Sequence, residues 1–543
     1  MPKVCVIDIE TDGLSPTVIH CLVALDVDHG IVQTFLNPTG LSGYLETFER
    51  VVAHNGSAFD FPALKKLWNT SVPTDKQWDT LVLSRMSQPD REGGHSLRAW
   101  GDRVGAAKGD FDGPWDTLSD EMISYCEQDV MVCSKVYGLL LEDMKEFSDK
   151  SIRDEHTMQR LATHVEDNGF AFDRAKAHKL YSKLIREQEE IVIQMQDTFE
   201  PEVIQLKTKT KLKPFNPASR KQIGERLVAK GWKPKELTPT GQPKIDENTL
   251  EQCDIPEAQI LARYFMLQKR TGMLDSWIKS CDGGDRVHCQ YHTLGAVTNR
   301  MSCSNPNLQQ IPSLRKPFGQ ECRELWCSEY GNALIDTDAA GLELRVLAHY
   351  MNDERYTKEV LEGDIHTANQ QMAGLETRDQ AKTFIYALLY GAGDAKIGSV
   401  VNGSSKDGRD LRERFMANLP AFARFRDAVV AKGTSEGKLK AIDGRLLKVR
   451  HAHASINTLI QGSSAVLMKK WFMNTAMEMK RRQTGGKLVA MVHDEMVIES
   501  LQDKVDIVSD CVKMAISLVN EEYKMRCRLD CDVQVGTNWS EIH

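Results

Sequence analysis

In the segment TRDQAKTFIYALLYGAG, Arg378, Lys382, Tyr386 and Tyr390 recur at every fourth residue, and Gly391 closes the row. On an α-helix each such step advances about 400°, so the four line one face. Phe384, Ile385, Leu388 and Leu389 between them can bury the other side. Two cations followed by two aromatic rings on one exposed stripe suit a ligand with a phosphate tail and a flat base. A solvated helix whose cations lie over its own tyrosines would look the same. The choice turns on whether the chain also supplies a metal site for phosphate chemistry.

Two sets of carboxylates answer that. In VIDIETDG, Asp8 and Glu10 stand at i, i+2 at the end of an apolar strand, so both project from one sheet face. HNGSAFDFPAL adds Asp60, and YCEQDV adds Asp129 with Tyr125 one helical turn earlier. The second set is Asp336 and Asp338 in LIDTDAAGLELR, with Asp494 between two strand-like halves of AMVHDEMVI, as a hairpin turn would place it. Converging acids repel unless divalent cations neutralise them, and Mg²⁺ takes carboxylate and water oxygens. Two such ions about 3.5–4 Å apart can activate an attacking oxygen and stabilise a leaving one. Taken singly, each acid also fits an ordinary strand end or turn.

The elements that must hold these groups follow from hydrophobic periodicity. Residues 1–150 read as α/β, with strands in KVCVID and IVQTFL and a long helix from EMISYC to LLLEDM. Residues 151–200 read as two amphipathic helices, with Gly169 as a stop and Asp173 as an N-cap. Between about 201 and 256 the chain turns proline- and lysine-rich, which predicts loops and short helices. Strands return in RVHCQYHTLGAVTNRMS and NALIDTDAAGLELRVLAHY, a helical block runs to about 480, and KLVAMVHDEMVIES, a helix and a strand end the fold.

The length of 543 residues implies several domains. Composition is globular, with no apolar stretch long enough to span a bilayer and no signal-peptide pattern. Thirteen cysteines without a Cys-x-x-Cys pair point to free thiols in a reduced cytoplasm. His288, Cys289 and His292 read as alternating strand residues, since a zinc site needs a fourth ligand. Residues 1–150 carry 13 Lys+Arg against 24 Asp+Glu, whereas the remainder carries 56 against 53. Lys207, Lys209, Lys211 and Lys213 alternate in LKTKTKLKP, where phosphate contact competes with a solvated loop.

Together and in this order, the first acids resemble the DEDD-type 3′–5′ exonuclease signature with tyrosine in its third motif. That resemblance implies an RNase H-like fold, with Asp8, Glu10, Asp60 and Asp129 on the metals and Tyr125 beside the attacking water. The second set, the stripe and His493-Asp494-Glu495 resemble the three polymerase motifs of family-A DNA polymerases. GAVTNRMSCSNPNLQQIP, GDIHT, NTLIQGSSA and NWSEIH extend the likeness to the replicative polymerases of T-odd, short-tailed phages. The implied architecture is α/β and multidomain: an exonuclease domain at 1–150, thumb at 151–285, palm at 286–350 and 485–543, and fingers at 351–484. Motif register selects Asp338 over Asp336 as a metal ligand, with Asp494 and the Ala339 carbonyl. Two Mg²⁺ per active site are implied, with Mn²⁺ able to substitute. Arg378, Lys382 and His366 would grip the incoming phosphates, and Lys382 would stabilise or protonate the leaving group. Tyr386 would lie beside sugar and base, Tyr390 would fill the template-stacking position, and Glu343 matches the gate against a ribose 2′-hydroxyl. Arg300, Gln461 and His493 would contact the DNA, the first two through minor-groove acceptors common to every base pair.

The resemblance implies primer-template DNA and dNTPs as partners, with a phage helicase-primase and a single-strand binding protein in an infected host's cytoplasm. Prominent members of this branch capture host thioredoxin on a large thumb insertion. Only 15 residues separate Phe199 from Phe215 here, too few for such a module. A nuclease with a DNA-binding tail, or a non-catalytic scaffold, would have no need of two complete acidic sets.

Overall fold

The computed structural model describes residues 2–106, 109, 111–205 and 210–543. They form two compact units. One holds residues up to 168, 289–309 and 331–535; the other holds 169–288, 310–330 and 536–543. No helix among the described residues is long and apolar enough to cross a membrane.

The first unit opens with a five-stranded sheet. Its strands are β1 (Val4–Thr11), β2 (Ile19–Asp26), β3 (Ile31–Phe35), β4 (Arg50–Ala53) and β5 (Gln77–Asp79), in the order β3-β2-β1-β4-β5. β1, β2 and β3 pair antiparallel, and β1, β4 and β5 pair parallel, a mixed order that agrees with the RNase H-like expectation. The period of two along β1 sorts its side chains between two cores. Cys5, Ile7 and Ile9 pack with Phe35, Phe61 and Leu64. Val4 and Val6 pack on the other side with Cys126, Val130 and Cys133 of the helix Asp120–Asp143. Asp8 and Glu10 continue the Val4/Val6 row, so the strand aims them at that helix.

A second sheet lies further along this unit, in the order Lys487–Val492, Glu495–Leu501, Asn332–Ala339, Cys531–Gly536. Asp338 pairs with Glu495 across it. The first two strands form the expected hairpin, with His493 at φ 53° in its turn. Helices Arg378–Leu389 and Ser455–Arg481 follow the helical pattern. Two expectations need correction. NALIDTDAAGLELRVLAHY is strand only to Ala339, because Gly341 at φ 58° turns the chain into the helix Leu342–Met351. The helical block is also broken by a hairpin of Lys438–Lys440 and Leu446–Lys448, whose turn puts Gly444 at φ 84°.

In the second unit, Gly169 (φ 58°) ends the preceding helix, and the Asp173 carboxylate caps Arg174–Thr198 by accepting from the Lys176 N–H at 2.8 Å. Phe170, Phe172, Trp277, Trp326 and Trp539 form one aromatic core. The lysine-rich segment, expected as loop, is a hairpin of Glu202–Gln205 with Thr210–Lys213. Lys211 and Lys213 are exposed on it, while Lys207 and Lys209 lie outside the described residues.

One interaction ties three parts of the first unit together without water. The Glu155 carboxylate, fully buried, accepts from Arg445 Nη1 at 2.7 Å and Lys469 Nζ at 2.7 and 3.0 Å, and Arg445 Nε donates to Asp443 at 2.8 Å. Removing one partner strands a buried charge. Glu155→Ala is expected to lower unfolding free energy by about 3–5 kcal/mol, read from the urea midpoint; a change under about 1 kcal/mol would mean the network is solvated.

Candidate active sites

The N-terminal acids meet at the end of β1. Asp60 is the first residue of the helix Asp60–Leu67, and the loop before it is held by Asp79. That buried carboxylate accepts from the backbone N–H groups of Asn55 (2.9 Å), Ser57 (3.0 Å) and Leu81 (2.9 Å). Gly56 lies so close to β4 that a Cβ there would stand 2.5 Å from the Ala53 side chain. Glu10, Asp60 and Asp129 are buried, and Asp8 is half-buried. Burial and the neighbouring Asp8 charge push the Asp60 carboxyl well above its ordinary range. Tyr125 sits in an aromatic cluster with Phe111 and Trp115, at centroid distances of 6.0 and 6.2 Å.

Sequence reasoning missed two features here. A cleft of about 620 Å³ is lined by His54, Arg85, His95, Arg98, Phe111 and Tyr125, whose cations suit phosphates and whose rings suit bases. No spacing in the sequence marked it, because its cations and rings come from separate segments. The other is Cys126, whose sulfur lies 3.4 Å from Asp8 Oδ2. Its signal was its position, three residues before Asp129 on one helix.

At the second sheet, the Asp338 side chain is exposed and that of Asp336 is buried. The backbone locks the turn: Ala339 N–H donates to the Asp494 carbonyl at 3.0 Å. Partial desolvation by the surrounding backbone, then Asp494, Glu495 and Asp532, push the Asp338 carboxyl up to about 7. Burial and a hydrogen bond with Glu495 push Asp336 up to about 9. Burial and Glu495 thus favour the protonated form of Asp336, whereas the Asp338 side chain is open to solvent. Asp532, on the adjoining Cys531–Gly536 strand, joins this cluster and was not anticipated, because no motif surrounds it.

The stripe forms as expected. Thr377 and Gln380 make a capping box that starts the helix at Arg378. Ala381, Phe384, Ile385, Leu388 and Leu389 are buried, Arg378 and Lys382 are exposed, and Gly391 at φ 73° turns the chain. Arg378 Nε pairs with Asp364 at 2.7 Å, and Asp364 caps the helix that begins Ile365-His366. His366 lies 6.4 Å from the Tyr386 ring, and burial together with Arg378 and Lys382 lowers its pKa. Tyr386 is raised by burial and by Glu343, Asp494 and Asp338. The Tyr390 hydroxyl donates to Glu343 Oε2 at 2.9 Å, while Arg300 Nη2 bonds Glu343 Oε1. His493 lines a small cavity with Arg300, Asp494 and Lys469. Gln461 is half-buried near the start of Ser455–Arg481 and has no hydrogen bond among the described residues.

Both raised carboxyls carry the same sign in pH dependence. The folded, cation-free protein holds protons on Asp338 and Asp336 that the unfolded chain loses near 3.8. Their contribution to stability is therefore greatest below that value. It falls as pH rises to about 7 for Asp338 and about 9 for Asp336. At about pH 8, Asp338→Asn is expected to melt above wild type in EDTA, and added Mg²⁺ should raise the wild type more than the variant. A variant that melts lower in EDTA would contradict the repulsion.

Comparison with known proteins gives a concordant answer. Residues 182–541 match the family model "DNA polymerase family A". The DNA-directed DNA polymerases of Enterobacteria phage T3 and Escherichia phage T7 are each 30% identical over 701 aligned positions, covering 99% of this chain and 99% of each relative. The solved POL domain of Pol1 from M. smegmatis, in complex with DNA primer-template and dNTP, superposes with a TM-score of 0.81. That match covers 99% of this chain and 95% of the other at 18% identity, a likeness of fold.

Proposed function

The chain belongs to DNA polymerase family A and is a DNA-directed DNA polymerase, and from that premise we propose that it extends a primer with dNTPs at the second acidic site and proofreads at the first. The observation that carries this reading is the meeting of the stripe with the acids: Tyr390 bonds Glu343, and Tyr386 feels the charges of Glu343, Asp494 and Asp338. A base stacked on these rings would have its phosphate tail toward Lys382, His366 and Arg378.

Family-A polymerases use divalent metals, and the acid clusters fit them, since desolvation and neighbouring acids push the Asp338 and Asp60 carboxyls up. Asp338, Asp494 and the Ala339 carbonyl would hold a pair of Mg²⁺ ions; Asp8, Glu10, Asp60 and Asp129 would hold another pair. The chemistry these ions supply when bound is charge neutralisation at phosphate and a lowered pKa for the attacking oxygen. Arg378 releases Asp364 to take the triphosphate, and Lys382 stabilises or protonates the leaving pyrophosphate. Glu343, fixed between Arg300 and Tyr390, fills the space a ribose 2′-hydroxyl needs. Arg300, Gln461 and His493 track the primer-template, and Tyr125 orients the attacking water in the proofreading site.

Within this reading, residues 1–150 form the exonuclease, 151–285 the thumb, 286–350 and 485–543 the palm, and 351–484 the fingers. The Lys211/Lys213 hairpin, in place of a thioredoxin-binding module, contacts duplex phosphates, so affinity falls as salt rises. Replication beside a phage helicase-primase and single-strand binding protein in a host cytoplasm completes the proposal.

Primer extension and single-strand digestion separate the two sites. Asp338→Ala is expected to lose extension by at least about 10²-fold and keep digestion; Asp8→Ala/Glu10→Ala is expected to do the reverse. Extension by Asp338→Ala at the wild-type rate would overturn the polymerase assignment. Tyr386 carries a hydroxyl able to stand in for a missing sugar 3′-hydroxyl. Efficient dideoxynucleotide incorporation is therefore expected, reduced sharply in Tyr386→Phe; equal termination ladders from both proteins would remove that role.

A further inference from the structure

We propose that Asp364 sets the affinity of the polymerase site for nucleotide. Its carboxylate holds Arg378 while no triphosphate is bound, yields that guanidinium to the incoming phosphates, and takes it back as pyrophosphate leaves. The inference rests on the proposed grip of Arg378 on phosphate and deepens it by naming what that grip competes with.

The competing pair is direct and local. Arg378 Nε donates to Asp364 Oδ2 at 2.7 Å. Among the described residues, no bond of the chain takes Arg378 Nη1 or Nη2. Carboxylate and phosphate oxygens are interchangeable partners for a guanidinium, and both favour its fork of two N–H groups. Phosphate can therefore engage the terminal amines first and displace Asp364 from Nε afterwards. Full bidentate use of the Nε side requires that displacement.

Asp364 does not follow Arg378 when the pair opens. Its Oδ1 accepts from the His366 and Thr367 N–H groups at 3.0 and 3.3 Å, and its Oδ2 from the Thr367 hydroxyl at 2.9 Å. These bonds cap the helix Ile365–Ala373 and need no arginine. The chain between the two helices is fastened separately. Gln370 Nε2 donates to the Glu376 carbonyl at 2.8 Å, and Gln380 Oε1 accepts from the Glu376 and Thr377 N–H groups at 3.2 and 3.1 Å. Exchange at Arg378 is thus a side-chain event on a frame held by other bonds.

Opening the pair is easy. Both side chains are about half exposed, Arg378 at 52% and Asp364 at 44%, and exposed pairs of this kind are weak. Asp364 stays ionised, since Arg378 and the cap bonds hold its carboxyl well below the ordinary range. Two effects then oppose nucleotide. Occupation of Arg378 lowers apparent affinity by the fraction of guanidinium left free, and the released carboxylate stays near Arg378 as a charge of the same sign as phosphate. The same opposition speeds the departure of pyrophosphate. Asp364 acts only through Arg378, so it is a positioning residue.

The test measures single-nucleotide incorporation by the full chain on primer-template with Mg²⁺. Asp364→Asn removes the charge and keeps an N-cap of equal rank. Asp364→Ser, a second neutral cap, guards against a folding defect, and circular dichroism melts check both. The KM for dNTP is expected to fall about two- to fivefold, with kcat no higher than wild type. The inhibition constant for pyrophosphate should fall by a similar factor, and both changes should shrink as salt rises. In an Arg378→Ala background the same substitutions should leave KM unchanged. An unchanged or raised KM in both Asp364 variants overturns the competition, as does a fall that persists without Arg378. So does an equal fall in Asp379→Asn, which removes a neighbouring exposed charge that makes no bond to Arg378. Wild-type KM in Arg378→Ala alone would instead overturn the phosphate grip itself, so the two failures are distinct.

Discussion

Carboxylates brought together in a low-dielectric pocket repel one another by several kcal/mol unless positive charge stands between them, and this chain brings them together at the ends of two sheets. The arrangement of the rest follows from that. Each set needs a strand whose alternation aims two acids one way, and a second element that closes on them. For Asp8 and Glu10 the closing element is the helix Asp120–Asp143, seated by Val130 and Cys133 against Val4 and Val6. For Asp338 it is the hairpin turn at Asp494, held by the Ala339 amide. Neither would bring its carboxylate in without the packed core behind it, because core packing is what opposes the repulsion. Part of it falls on Asp336, whose carboxyl burial and Glu495 push toward the protonated form.

Glu155 shows the opposite solution. Its carboxylate is equally dry, yet Arg445 and Lys469 meet it directly, and their charges hold its pKa below the ordinary range despite burial. Where a buried charge serves to fasten, the chain supplies both signs. At the acid clusters, desolvation and neighbouring acids push the Asp338 and Asp60 carboxyls the other way. That contrast separates a structural ion network from a candidate site more sharply than burial or pKa direction alone.

The grouping of the candidate site residues was legible in the sequence because their spacing is dictated by local geometry. The four-residue period of Arg378, Lys382, Tyr386 and Tyr390 is a property of one helix, and Asp8-x-Glu10 a property of one strand. What the sequence could not display was any group whose role depends on a distant neighbour. Cys126, Asp532, Arg85 and Phe111 reach their sites through tertiary packing, with no periodic pattern to mark them. The turn at Gly341 was misread for a related reason: NALIDTDAAGLELRVLAHY is apolar throughout, and a buried helix and a buried strand share that pattern. The hairpins at 202–213 and 438–448 are short, and their register is set by pairing partners rather than by an alternation visible in four residues.

The 438–448 hairpin also decides how the first unit is joined. Its rim pairs are exposed: Lys438 with Glu146, Lys448 with Asp90, and nearby Arg450 with Asp90. Each contributes about 0–1 kcal/mol and is screened by salt. Its turn carries Arg445 into the dry network with Glu155 and Lys469, which costs several times more to disrupt. Glu155 belongs to the helix Asp149–Asn168, and Lys469 lies eight residues after Gln461 on Ser455–Arg481. The connection between the N-terminal residues and the polymerase core thus combines a buried ion network with a screened rim. A rim pair can be screened by salt, whereas Glu155 is held by buried cations from two other elements, the hairpin and Ser455–Arg481.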